Sequence, residues 1–232
     1  MNKIFPNGFL WGAATSAHQV EGDNHNDWTE WEKENAEHLS GESGGKYPPE
    51  NYISGLSCDH YNRYEGDFDL AKEMGHSAHR FSIEWSRIEP EEGKFNEKEI
   101  EHYREVIRAL RERGIEPFVT LWHWTMPVWF TNKDGFGKQE NIKYFVRFCE
   151  RIVKEFSAEG GSASGGKNDV KFWITLNEPE IYAGNSYFKG MWPPQGKNLI
   201  TYFLVIRNLI KAHCESYKII KKNNPNVQIG IA

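Results

Sequence analysis

The sequence predicts an α/β fold with a parallel sheet, and within that class a (β/α)8 TIM-type barrel. Three observations carry this. Short apolar segments alternate with helical stretches four times before a fifth strand begins, the order of a parallel sheet with helices outside it. Polar residues gather at the ends of the first four strand segments alike, as at a barrel mouth fed by every strand. No Gly-x-Gly-x-x-Gly turn follows the first strand, so nucleotide binding by that route is unsupported. An open doubly wound sheet competes with the barrel, and the crowding at the strand ends favours the barrel.

The first strand is read over residues 9–15, Phe-Leu-Trp-Gly-Ala-Ala-Thr, as short and buried. Ser16-Ala17-His18-Gln19-Val20-Glu21-Gly22 follows. Residues 23–57 are polar and read as an irregular connection, long enough to be functional or mobile. A helix is expected over 59–74, where Tyr61, Tyr64, Phe68 and Ala71 recur at helical spacing. Asp59 is its candidate N-cap and Gly75 its candidate C-cap. Residues 78–85 alternate as a second strand, with Arg80, Ser82 and Glu84 on one face and His79, Phe81, Ile83 and Trp85 on the other.

Asn96-Glu97-Lys98-Glu99 has the form of a capping box. The helix it opens carries Ile100, Tyr103, Ile107 and Leu110 on one stripe and stops at Gly114. The third strand covers 115–124, ends in His123-Trp124, and is broken by Pro127. A helix over 141–156 turns Ile142, Phe145, Cys149, Ile152 and Phe156 inward. The Gly/Ser-rich stretch at 157–168 has a linker's composition. It is read as a flexible loop inside one domain spanning 1–232. The fourth strand starts at Phe172, a long helix covers 199–222, and a fifth strand occupies 227–232.

Composition bounds the function. With 38% apolar and 26% charged residues the chain is globular rather than disordered. A net charge of −5 offers no global basic field, so no nucleic-acid partner is expected. Cys58, Cys149 and Cys214 are scattered, which suggests buried free thiols in a reducing compartment rather than a disulfide framework or metal site. No stretch has the roughly 18 apolar residues of a membrane span, and no long apolar core follows Lys3 as in a signal peptide. A cytoplasmic location without membrane or cofactor is expected.

The chemistry concentrates where the fourth strand stops, at Asn177-Glu178-Pro179. Proline lacks an amide hydrogen and turns the preceding residue away from helix. Asn177 and Glu178 therefore fall at the strand's carboxyl end, where barrels do their chemistry. A carboxyl group on a rigid strand beside an amide suits protonating a leaving group while gripping a hydroxyl. Taken singly, Glu178 could be a solvated strand-end glutamate, Gln19 a polar loop residue, His123 a core histidine and Arg80 an internal ion-pair partner.

Together the motifs resemble glycoside hydrolase family 1, the β-glucosidase and β-galactosidase family. The resemblance rests on Phe9-Leu10-Trp11-Gly12-Ala13-Ala14-Thr15-Ser16-Ala17 with Gln19-Val20-Glu21-Gly22, on Arg80-Phe81-Ser82-Ile83-Glu84-Trp85-Ser86-Arg87-Ile88, on His123-Trp124, and on Thr175-Leu176-Asn177-Glu178-Pro179. It implies that Glu178 is the acid/base and that Asn177 holds the sugar 2-hydroxyl. It further implies that Gln19 and His123 bind sugar hydroxyls beside Trp124, and that Arg80 steadies the nucleophile. Thr125-Met126 stands where many members carry Asp-Leu, a change expected in the pocket wall.

Retaining cleavage needs a second carboxylate about 5 Å from the first. The family's nucleophile lies in a Glu-Asn-Gly type motif on a later strand, and this sequence contains no Glu-Asn-Gly. The chain is therefore expected to be the first half of such a barrel, four βα units and the start of strand five. It would act on a β-linked glycoside with a complementary C-terminal half, or self-associate through open sheet edges. Among substitute nucleophiles, Glu84 ranks ahead of Glu21 and Glu180 because it shares the Arg80 face.

Overall fold

The structure, a computed structural model, describes residues 5–157 and 170–232. Five strands form one sheet in sequence order: β1 (Gly12–Ala14), β2 (Ala78–Ser82), β3 (Glu116–Thr120), β4 (Phe172–Ile174) and β5 (Gln228–Gly230). Every neighbouring pair is parallel. Parallel neighbours need long crossovers, and the chain supplies them as helices. After β1 come α1 (Ala17–Val20), α2 (Asp27–Glu42) and α3 (His60–Glu73); after β2, α4 (Trp85–Ile88) and α5 (Glu97–Glu112). After β3 come α6 (Val128–Thr131) and α7 (Ile142–Phe156); after β4, α8 (Pro179–Ala183) and α9 (Leu199–Asn223). This is an incomplete (β/α)8 barrel, as the alternation predicts.

The core lies between the sheet and α5, α7 and α9. Val119 and Trp173 from the strands meet Ile107, Leu110, Phe148, Ile152, Leu209 and Ala212 in one buried cluster. Trp85 anchors it, stacked on Phe148 at 5.1 Å and tilted against Phe145 at 5.7 Å. Truncating so large a buried ring costs about 3–5 kcal/mol.

Local signals set the helix ends, with differences of detail. Asn96 caps α5 by accepting from the Lys98 amide, but Glu99 takes the Tyr61 hydroxyl instead of closing the box. Gly75 and Gly114 sit at positive φ just past α3 and α5, and the next amides bond back to Ala71 and Leu110. These are the helix stops the sequence marks. Asp59 occupies the N-cap of α3 at φ 56°, yet its carboxylate accepts from Asn62 rather than from a helix amide.

Four expectations are corrected. Residues 23–57 are not wholly irregular, because α2 runs through them with Asn26 and Thr29 in a reciprocal cap. Trp85 opens α4 and does not extend β2, since the Glu84 carboxylate caps that turn. β1 is exposed throughout because it is an edge of the sheet. Only Cys149 is buried; Cys58 and Cys214 are exposed free thiols. The stretch assigned to a flexible loop over 157–168 lies, from 158 onward, outside the described residues. No helix among the described residues is long and apolar enough to cross a membrane.

Candidate active site

The site is built at the carboxyl ends of β2, β3 and β4. Arg80 on β2 is paired in register with Phe118 on β3. Its Nε donates to Thr120 Oγ1 at 2.9 Å and its Nη2 to Asn177 Oδ1 at 2.5 Å. Burial presses its pKa below the ordinary value, and the Glu178 carboxylate acts the other way. The guanidinium is thus close enough to feel Glu178 although its hydrogen bonds go elsewhere.

Asn177 is 3% exposed and all its polar groups are engaged. Its amide donates to the Trp122 carbonyl at 3.0 Å, and its carbonyl accepts from Trp124 Nε1 at 3.1 Å. Arginine only donates, so Oδ1 must face Arg80 and Nδ2 must face the other way. There Nδ2 lies 3.2 Å from both His123 Nε2 and Glu178 Oε2. His123 Nε2 is then the acceptor, and the ring proton resides on Nδ1, which has no partner among the described residues. Burial, and secondly Arg80, push the His123 pKa down to about 4, so the ring is neutral near pH 7.

Glu178 is the exposed member of the group. Its backbone is left-handed, φ 43° and ψ 57°, uncommon outside glycine and worth attention at a site. Pro179 removes the right-handed helical alternative. Glu178 N donates to the Ala232 carbonyl at 2.7 Å, and its carbonyl accepts from Tyr182 N at 3.1 Å. The side chain is thereby aimed at Asn177 from a fixed backbone.

Trp124 also has positive φ, 76°. Thr125 N closes on the His123 carbonyl at 3.0 Å across it, a tight three-residue turn of a rare, strained kind. Two buried carboxylates hold the turn. Glu84 Oε2 accepts from Thr125 Oγ1 at 2.8 Å, and Asp27 Oδ1 from Met126 N at 2.7 Å.

Of the residues singled out in the sequence, Arg80, His123, Trp124, Asn177 and Glu178 come together. Gln19 does not join them by a hydrogen bond among the described residues; it is exposed on α1 and accepts from Ser16 Oγ at 2.7 Å. Thr125 and Met126 are both buried, the Thr125 hydroxyl bonded to Glu84 and the Met126 amide to Asp27. Glu84 is 1% exposed, with Ser86 Oγ on one oxygen and Thr125 on the other. Glu21 is tied to Arg87 and Tyr103. Neither carboxylate is free as a nucleophile, which corrects the ranking of Glu84.

Sequence reasoning missed Thr120, Trp28 and Trp192. Trp28 stacks on Trp124 at 6.2 Å, and Trp192 packs on Trp124 at 4.6 Å. The cap signature Asn26-x-x-Thr29 is the signal that would have placed Trp28 on a helix. Among the described residues no group of His, Cys, Asp and Glu side chains is arranged to hold a metal ion.

A half-open parallel barrel with an Asn-Glu pair fixed at the end of its fourth strand defines the class: an α/β-barrel protein of the glycoside hydrolase kind. The model of glycosyl hydrolase family 1 matches residues 1–232, and the chain belongs to that family. It is 35% identical over 237 residues to β-glucosidase A of Acetivibrio thermocellus, covering 100% of this chain and 49% of that protein. It is 33% identical over 236 residues to the 1,4-β-D-glucan glucohydrolase of Thermotoga neapolitana, covering 99% and 51%. Among solved structures it superposes on a β-glycosidase from Pyrococcus horikoshii with a TM-score of 0.80 at 36% identity, covering 98% of this chain and 48% of that one. The β-glucosidase of Thermotoga maritima in complex with deoxynojirimycin gives 0.83 at 32%, covering 98% and 49%. The chain thus spans about half the length of the relatives it matches.

Proposed function

We propose that this chain is the acid/base half of a retaining β-glycosidase and hydrolyses O-glycosidic bonds of β-glycosides when a C-terminal half completes the barrel. The observation that carries the reading is the Asn177–Glu178 pair, fixed at the end of β4 between His123 and Arg80. Glu178 donates a proton to the departing glycosidic oxygen while a nucleophilic carboxylate from that C-terminal half bonds to the anomeric carbon. Water then attacks that carbon, Glu178 takes the water proton, and the sugar–enzyme bond breaks. Asn177 Nδ2 and neutral His123 bind sugar hydroxyls, with Trp124 as an apolar wall. Arg80 supplies positive charge beside the incoming carboxylate. Gln19 reaches the sugar from the mouth once substrate is present.

The completing half has a surface to meet. β1 and β5 are sheet edges, and Phe9, Leu10 and Trp11 beside β1 are exposed, as are Leu199, Ile200 and Phe203 on α9. Unpaired edges of this kind recruit other chains. Three free thiols suit a reducing, cytoplasmic setting. A second reading, a half-barrel that binds sugar without cleaving it, is favoured by one observation: Glu84 and Glu21 are both buried and bonded, so that neither is free to act as the nucleophile for Glu178.

The test is release of nitrophenol from an aryl β-glucoside, by the chain alone and after mixing with the C-terminal half of a family member. The expected result is no release alone and turnover in the mixture. Cellobiose cleavage by the mixture should fall about 10²–10⁴-fold in Glu178→Gln. Undiminished cellobiose cleavage by that variant sinks the assignment of Glu178.

A further inference from the structure

We propose that a cavity behind the tryptophan cluster is a second saccharide-binding site, which accepts neutral or amino-bearing sugar chains and rejects acidic ones. It encloses about 620 Å³, within the about 300–1,000 Å³ range of small-molecule sites. Helix α2 contributes Trp31 and Glu34, the segment after β3 contributes Met126 and Asn132, and the segment after β4 contributes Pro193 and Gln195. These same three connections carry Trp28, Trp124 and Trp192. The cavity therefore lies at the same end of the sheet as the candidate active site. Ring centroids step from Trp124 to Trp28 at 6.2 Å and from Trp28 to Trp31 at 6.0 Å. The cavity wall is pinned, because Asp27 and Met126 exchange two hydrogen bonds, at 3.0 and 2.7 Å.

The lining chemistry selects the ligand. Trp31 and the two prolines present flat apolar surface, which suits the C–H face of a pyranose. Asn132 and Gln195 each donate and accept, and Glu34 accepts only. A purely apolar guest would strip water from these groups and return nothing. A hydroxyl-rich ring offers donors, acceptors and an apolar face at once. Charge narrows the class further. Glu30, Glu34 and Asp134 line the cavity against a single cation among the described residues, Lys138, and that lysine is paired with Asp134 at 2.5 Å; Asp27 lines it too but keeps its proton near pH 7, because burial pushes its carboxyl up to about 8. A uronate or a phosphate would meet net negative charge, whereas a neutral sugar or a glucosamine unit would not. Choosing a saccharide among hydroxyl-rich ligands rests on the glycoside reading of the neighbouring site.

The test is a set of ¹H–¹⁵N titrations of the whole chain with cellotriose, a glucosamine trimer and trigalacturonate. Saturable shifts of the Trp31 indole and of the Asn132 and Gln195 side-chain amides are expected with either of the first two, and none with trigalacturonate. Binding should persist in Asn177→Ala and weaken about tenfold in Asn132→Ala/Gln195→Ala, whose two side chains are exposed. Glucose titration read at His123 and Asn177 tests the neighbouring site separately. Shifts confined to His123 and Asn177, equal binding of trigalacturonate, or no saturable shift at the three cavity groups each overturns the proposal.

Discussion

Arg80 and Asn177, 97 residues apart in sequence, meet side chain to side chain, with Nη2 donating to Oδ1 at 2.5 Å. This bond decides which way the amide points, and so which group His123 and Glu178 face. Arg80→Ala removes a charge-assisted hydrogen bond from a buried acceptor, at a cost of about 1.5–3 kcal/mol. Arg80→Lys should recover only part, because one ammonium cannot reach both Thr120 and Asn177 along the directions the planar guanidinium uses. Urea unfolding of the three proteins checks the ranking. Equal midpoints for wild type and alanine variant would show the bond to be idle.

Thr125 gives a second test of how the site is held. Its hydroxyl is a partner of the Glu84 carboxylate, which is 1% exposed. Thr125→Val keeps the shape and leaves a buried carboxylate oxygen without its donor, at about 1–3 kcal/mol. Because that hydroxyl also steadies the strained turn at Trp124, the loss should be accompanied by a change in tryptophan emission. A Thr131→Val control, whose hydroxyl bonds the local Val128 carbonyl, should cost less. Equal losses from the two variants would refute a special role for the Glu84 contact.

The sequence shows an element where the element's buried face is apolar. α5 and α7 bury Ile100, Tyr103, Ile107 and Leu110, and Phe145, Cys149, Ile152 and Phe156, so their period is plain. α2 buries Asp27, Thr29, Glu32, Ala36 and Ser40. Its inward face is polar, satisfied by bonds such as His18 to Glu32 at 2.8 Å and Ser54 Oγ to Glu32 at 2.7 Å, and hydrophobic spacing cannot reveal it. The site divides the same way. Arg80, His123, Asn177 and Glu178 sit in short motifs at strand ends and were legible. Trp28 and Trp192 come from connections whose course depends on tertiary bonds. The positive φ values at Trp124 and Glu178 have no sequence mark, because neither residue type favours that region.

The pH dependence of stability has opposing arms. Burial pushes the Asp27 carboxyl up to about 8, against the pull of the Met126 amide. The fold therefore keeps a proton that the unfolded chain sheds above the ordinary 3.8, and stability falls as pH rises toward 8. Burial presses His79, His102 and His123 down to about 4 from 6.5. Below 6.5 the unfolded chain gains protons that the fold refuses, so stability falls as pH drops. Between 4 and 6.5 the arms oppose each other, and above 6.5 the histidine arm is silent. There Glu21, pushed by burial up to about 7, and His18, raised against burial by the Glu32 carboxylate, add to the downward arm, so the urea-derived stability should fall as pH rises toward 8, with Asp27 alone contributing about 1.4 kcal/mol per pH unit. Asp27→Asn, which can still accept from Met126, should make that slope shallower, most clearly between pH 7 and 8. A slope in the variant as steep as in wild type contradicts the assignment.

Gly22 and Gly66 should respond oppositely to alanine. Gly22 has φ +83°, and a Cβ there would lie 2.1 Å from the Leu56 carbonyl oxygen, which is backbone and cannot swing aside. The left-handed region alone costs a non-glycine residue about 1–2 kcal/mol, and the clash must part residues 22–23 from 55–56. Arg87 donates to the Gly22 carbonyl at 2.5 Å as well as to Glu21, so the displacement reaches the buried Glu21 side chain. Gly22→Ala should cost more than 2 kcal/mol on that ground. Gly66 lies inside α3 with nothing within 4 Å of an added Cβ. There alanine only removes the entropy cost of a helical glycine and should stabilise by about 0.5–1 kcal/mol. Thermal midpoints of the two variants, taken side by side, test whether the approach of the α1–α2 connection to residue 56 is as tight as the structure has it. A Gly22→Ala midpoint at or above wild type would mean that these segments do not touch.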